Sequence, residues 1–291
     1  MMSWFGTMKK LTVLLIISAV IFAGCSSQKP AEIAATTLPV YEFSAALCEG
    51  TGISVSRLVT ENVSCLHDYS LQVNQMRAVE SAEAVIISGA GLESFLEDAL
   101  TGASNVIDAS EGLELSCGHH HEEHHHEHDP HIWLSPVNAK QMCKNIADKL
   151  TALYPQYADI FSENLVTLLE KLDDLQAYGE KELADLHCRK LITFHDGFSY
   201  FAESFDLHIL KAVEEESGSE ASAQELIELI DSVKNNQLPA IFTEVNGSAS
   251  AAEIIAKETG VKKFQLDMAM AGNSYFEAMY HNIDTVKEAL K

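Results

Sequence analysis

Three histidines and one aspartate spread along most of the chain, His67, His131, His195 and Asp267, carry the donor atoms for a divalent cation. Each sits just after a short apolar run of the kind that forms a buried strand, or in the loop that follows one. In parallel α/β sheets, ligands gather at the carboxyl ends of strands, so groups placed this way converge once the strands pair. Three imidazoles and a carboxylate suit Zn²⁺, which takes four nitrogen, sulfur or oxygen ligands in a tetrahedron. With all four places filled by protein, no position is open to a reactive water. The chemistry expected is therefore carriage of an ion, and no catalytic residues are assigned. Asp196, beside His195, is either an orienter of an imidazole or a helix N-cap.

A second group of histidines is of a different kind. The stretch GHHHEEHHHEHDPHIWLSP at 118–136 opens with His119, His120, His121, His124, His125, His126 and His128, interleaved with glutamates. Polar and repetitive, it reads as a loop that gathers metal as an auxiliary to the main site, the alternative being a solvated low-complexity loop. His131 behind it opens an apolar segment, and Pro130 restricts the backbone leading into it. Formal HExxH and HxxEH matches fall inside the tract. In a segment this rich in His and Glu they arise by chance, and no apolar helix face surrounds them, so a zinc hydrolase is set aside. His187, His208 and His281 read as ordinary histidines; Glu244, at the end of a strand, could approach the cleft but reads first as a surface or interdomain hydrogen-bonding group.

Positioning the four ligands takes two runs of alternating strands and helices, which imply parallel sheets with helices on their faces. In the first, strands are expected at 33–38, 53–59, 84–88 and 105–108. Helices are expected at 40–48 and 72–82, with a further helix face marked by Leu92, Phe95, Leu96 and Leu100. In the second, strands at 191–194, 209–213, 240–245 and 263–266 alternate with helices, and the last helix spans 275–290. Between them, apolar residues recur at helical spacing from Ile160 to Leu175. A helix over 157–186 would be about 45 Å long and would act as a rigid connecting spine. The fold class expected is α/β: two Rossmann-like parallel-sheet domains joined by a long helix, with the metal site in the cleft. The boundaries are 33–156 for the first domain, including the histidine loop at 118–128, and 187–291 for the second.

The chain of 291 residues is long enough for two ordinary domains, and 47% apolar with 21% charged residues is a globular mixture. A net charge of −24 excludes nucleic acid and an anionic membrane surface as partners. Lys9 and Lys10 precede an apolar run at 11–22, too short to span a bilayer and right for a signal-peptide core. It ends in Phe22-Ala23-Gly24-Cys25, which resembles a bacterial lipoprotein box. The expectation is a signal peptide at 1–24, a lipid on Cys25 and a tether at 25–32, giving an extracytoplasmic, membrane-anchored protein. Cys48, Cys65, Cys117, Cys143 and Cys188 match no paired zinc pattern; a disulfide among them and free thiols are both open.

Several of these stretches resemble one family. HDYSL at His67, SGAGLE at 88–93, DPHIWLSP at 129–136, FHDGFSYFAESF at 194–205, and the LD with a following NSY at 266–275 look like the zinc/manganese substrate-binding lipoproteins of ABC transporters, and the likeness covers nearly the whole mature chain. The resemblance implies metal ligands at His67, His131, His195 and Asp267, and partnership with a permease and its cytoplasmic ATPase. It also implies a monomer that captures Zn²⁺ and hands it on. Members favouring manganese usually carry glutamate where this chain has His195. Imidazole there favours zinc over Mn²⁺, since nitrogen donors suit the former and carboxylates the latter. The alternatives within the resemblance are a manganese or iron carrier and a metal-binding adhesin or sensor. Because imidazoles bind metal only when neutral, affinity is expected to fall as pH drops through the histidine range.

Overall fold

The computed structural model describes residues 32–61, 66, 69–116, 128–213, 221–245 and 250–291. Cys25 with its leader, His67, the tract from His119 to His126, Cys65 and Cys117 lie outside the described residues. Cys48, Cys143 and Cys188 are free thiols. Among the described residues no helix is long and apolar enough to cross a membrane.

Two parallel four-stranded sheets share one strand order. β1 (Ile33–Ala35), β2 (Val55–Arg57), β3 (Ala84–Ile87) and β4 (Val106–Asp108) pair as β2-β1-β3-β4. β5 (Lys190–Thr193), β6 (His208–Ala212), β7 (Ala240–Glu244) and β8 (Lys262–Leu266) pair as β6-β5-β7-β8. Each sheet thus has its reversal of strand order between its first and third strands, the place where open α/β sheets bind ligands.

The helices of the first half are α1 (Leu38–Leu47), α2 (Val73–Ser81), α3 (Glu97–Leu100) and α4 (Pro136–Leu153). Helix α1 begins at Leu38 because Pro39 fits the first turn, where its missing N–H costs nothing. Ser135 caps α4 by accepting from Asn138 N–H at 3.3 Å, with Pro136 just inside. The expected connecting helix is α5 (Ala158–Glu182), 25 residues and ~37 Å long. It ends at Glu182, short of residue 186, and Arg189 binds the carbonyls that follow its end. The guanidinium donates to Leu183 O at 2.9 Å and Ala184 O at 3.0 Å. The second half adds α6 (Ser199–Ser204), α7 (Ala223–Asn236), α8 (Ser250–Thr259) and α9 (Tyr275–Leu290).

Helix α5 packs against α1, α4 and α9, so it belongs to both halves. Its leucine face, Leu168, Leu172 and Leu175, lies in a core that runs from Ile33 and Phe43 to Phe242, Leu266 and Ile283. The loop between β8 and α9 is also tied to the first half. Leu38 N–H donates to Met270 O at 3.3 Å, and Arg57 Nη1 to Gly272 O at 2.9 Å. The Glu42 carboxylate accepts from Ser274 Oγ at 3.1 Å and Tyr275 N–H at 2.5 Å, satisfying the start of α9 from across the molecule.

Where a helix face over residues 92–100 is expected, the chain makes a turn at Ser94–Leu96 and then the four-residue α3. Just before them, Glu93 folds back onto the end of β3. Its carboxylate accepts from Ser88 N–H at 2.7 Å, Gly89 N–H at 3.0 Å and Thr36 Oγ1 at 2.7 Å. Gly89 has φ +82°, and a Cβ there would meet Asp108 Oδ1 at 1.9 Å. Burial pushes the Glu93 carboxyl up to about 7, although its three donors act the other way. A folded pKa above the unfolded value stabilises the fold at low pH, and that contribution is lost as pH rises through about 7. The loss amounts to ~3 kcal/mol at most between pH 4.5 and 8. Chemical denaturation of Glu93→Gln across that range is therefore expected to show a flatter stability profile than the parent. Parallel profiles would contradict the assignment.

Candidate metal centre

His131 stands at the entrance of a single 3₁₀ turn, Ile132–Leu134, and only 3% of it is exposed. Asp129, two residues earlier, accepts through Oδ1 from the His131 backbone N–H at 2.9 Å and from Nδ1 at 2.8 Å. An ionised carboxylate only accepts, so the proton is held on Nδ1 and the Nε2 lone pair is left available. Among the described residues no lysine or arginine pairs with Asp129, and its Oδ2 is buried with no hydrogen-bond partner. A buried carboxylate in that condition favours a cation nearby.

His195 follows β5 at the reversal point of the second sheet and is buried. Its support comes from the next strand. Thr193 pairs with Phe242 in the β5–β7 register. Two residues further on, at the same side of the pleat, His195 lies beside Glu244, the last residue of β7. His195 Nδ1 and Glu244 Oε1 are 3.6 Å apart. Glu244 is 2% exposed, which removes the surface alternative and leaves its approach to the cleft. Asp196 does not cap α6 either, because Phe198 occupies the N-cap position.

The two imidazoles meet edge to face, with ring centroids 5.0 Å apart and Nε2 atoms 3.4 Å apart. Two lone pairs at that distance repel unless a proton or a metal ion lies between them. For Zn–N bonds of about 2.05 Å, a tetrahedral ion sets its nitrogens about 3.3 Å apart. The pair therefore fits two ligands of one zinc ion. Gly197 makes the approach possible, since a Cβ there would lie 2.7 Å from His195 Cδ2 and 2.8 Å from His131 Nδ1.

Asp267 lies in the loop after β8. Its Oδ1 accepts from Ala269 N–H at 2.8 Å, and its backbone is gripped at both ends by Asn282, which is fully buried on α9. The next residue, Met268, receives the Trp133 indole N–H at its carbonyl, at 2.8 Å. Tyr275 returns a hydroxyl to Trp133 O at 2.8 Å. Thus the segment that carries His131 also anchors the loop that carries Asp267. The structure brings His131 and His195 together. Among the described residues no third His, Cys, Asp or Glu closes around that pair. His67 lies outside the described residues, and His128, at the end of the tract, is exposed.

Residues 33–289 match the family described as zinc-uptake complex component A, periplasmic (ZnuA). The chain belongs to this family. Its members are extracytoplasmic binding components of uptake systems, not enzymes. The zinc-binding lipoprotein AdcA of Streptococcus pneumoniae is 29% identical over 307 residues, a match covering 97% of this chain and 61% of AdcA. The chain thus spans less than two thirds of that relative's length. A crystal structure of ZnuA is 30% identical with a TM-score of 0.79, covering 90% of this chain and 100% of that one. The crystal structure of Zn(II)-bound AdcA from S. pneumoniae is 28% identical with a TM-score of 0.76, over 89% of this chain and 57% of that chain. The two-sheet architecture joined by a long helix is the one expected from the strand and helix pattern.

Sequence reasoning did not single out Asp129, Gly197 or Asn282 as supports of the site. The spacing Asp129-Pro130-His131 was a usable signal, because an aspartate two residues before a histidine reaches its backbone N–H. Gly197 and Asn282 gave no comparable local signal, whereas Glu244 was marked by its place at the end of a strand.

Proposed function

We propose that this protein captures Zn²⁺ outside the cytoplasm and delivers it to an ABC permease driven by a cytoplasmic ATPase. The ion is the cargo. Its ligands are His67, His131, His195 and Asp267, with Asp129, Glu244 and Asp196 supporting the imidazoles. The domains at 33–156 and 187–291 face each other across this site, with the spine at 157–186 between them. The protein acts as a monomer, held to the membrane by lipid on Cys25 after removal of 1–24. The histidines from His119 to His128 gather metal without forming the main site.

The observation that carries this reading is the Nε2–Nε2 separation of 3.4 Å between two buried imidazoles. That spacing fits two ligands of one ion, and in a member of a zinc-uptake family the imidazole at 195 favours zinc over manganese. The test is a competitive titration of the metal-stripped protein with Zn²⁺ and Mn²⁺, beside a version lacking 119–128. One tight zinc equivalent is expected to survive the deletion and to be lost in His131→Ala. Tight binding that disappears with the tract would sink the four-ligand site, and preference for Mn²⁺ would overturn the cargo.

A further inference from the structure

Asp129 orients His131, and Asp129 is itself held from the other half of the molecule. Its backbone N–H donates to Ser116 O at 3.0 Å. The Ser116 N–H donates to the Tyr200 hydroxyl at 3.0 Å, and that hydroxyl donates to Asp129 O at 3.1 Å. These three bonds close a ring between Ser116, Asp129 and Tyr200. Tyr200 sits in α6, 3% exposed, in the short segment that follows His195. One segment therefore supplies one imidazole and fixes the support of the other.

We propose that Tyr200 is a positioning residue for the metal centre, its hydroxyl setting the Asp129–His131 pair against His195. Burial raises the phenol above its ordinary range, which keeps the hydroxyl protonated and able to donate. Without it, the Asp129 carbonyl loses its donor and the carboxylate that aligns His131 is free to drift. The inference rests on the reading of His131 and His195 as zinc ligands.

The test uses the full chain, with Zn²⁺ affinity measured by chelator competition and Co²⁺ as a spectroscopic probe of ligand geometry. Tyr200→Phe is expected to weaken Zn²⁺ binding about 10-fold and to shift the visible Co²⁺ bands. Glu203→Gln keeps the Tyr200 hydroxyl and changes a carboxylate that accepts only long bonds from Ser116 Oγ, at 3.4 and 3.5 Å, and is expected to match the parent in both. Tyr200→Met, which also lacks the hydroxyl, should repeat the loss. Unchanged affinity and bands in the Tyr200 variants overturn the proposal, and so does a fall in metal-free melting temperature alone. Loss of the fold in both variants overturns it too, because Tyr200 would then be structural. His131→Ala separates the two ideas. If it binds zinc like the parent, the site reading has failed; if it loses zinc while Tyr200→Phe does not, only the positioning role has.

Discussion

Gly197→Ala is expected to weaken zinc binding about 100-fold, or ~3 kcal/mol, while leaving the protein folded. The added methyl would lie 2.7 Å from His195 Cδ2, 2.7 Å from Met268 Cε and 2.8 Å from His131 Nδ1. The tip of Met268 is unbranched and can swing aside. The imidazoles cannot move so cheaply, because Asp129 holds one ring at 2.8 Å and Glu244 lies 3.6 Å from the other. Pushing them apart widens the Nε2 separation beyond what one tetrahedral ion spans. The check is a competitive Zn²⁺ titration with a melting curve of the metal-free variant beside it. Affinity within threefold of the parent would mean that the rings relax freely, and the tight apposition would lose its significance.

Trp133→Ala is expected to show the largest loss of stability, about 3–5 kcal/mol by chemical denaturation. Trp133 is fully buried and is the largest such side chain among the described residues. Its removal leaves a cavity and strips the Met268 carbonyl of its donor at 2.8 Å. The loop carrying Asp267 is then less firmly held from the first half, so zinc affinity should fall with stability. Trp133→Phe retains most of the volume and loses the indole N–H, and is expected to cost only ~1–2 kcal/mol. Equal effects of the two substitutions would show that the bond to Met268, not packing, accounts for the loss.

Helix and strand positions were legible because their signals are local. The 3.6-residue recurrence from Ile160 to Leu175 marks α5, and the short apolar runs before His195 and Asp267 mark β5 and β8. Where elements begin and end was less legible. Helix α5 ends at Glu182, and the helical stretch after Glu93 opens as a 3₁₀ turn at Ser94–Leu96 before the short α3. Neither boundary is encoded in the periodicity of its segment.

The candidate site divides in the same way. The sequence by itself determined the family to which its motifs belong, and the placement of His195 and Asp267 just after strands. Those depend on residue type and order alone. Only the tertiary structure decided that His131 and His195 face each other at Nε2, that Glu244 is buried beside His195, and that Gly197 leaves room for both rings. The reason is physical. Parallel strand register and the approach of two segments far apart in the chain arise from packing across the shared core. A side chain's role there depends on neighbours that its own stretch of sequence does not contain.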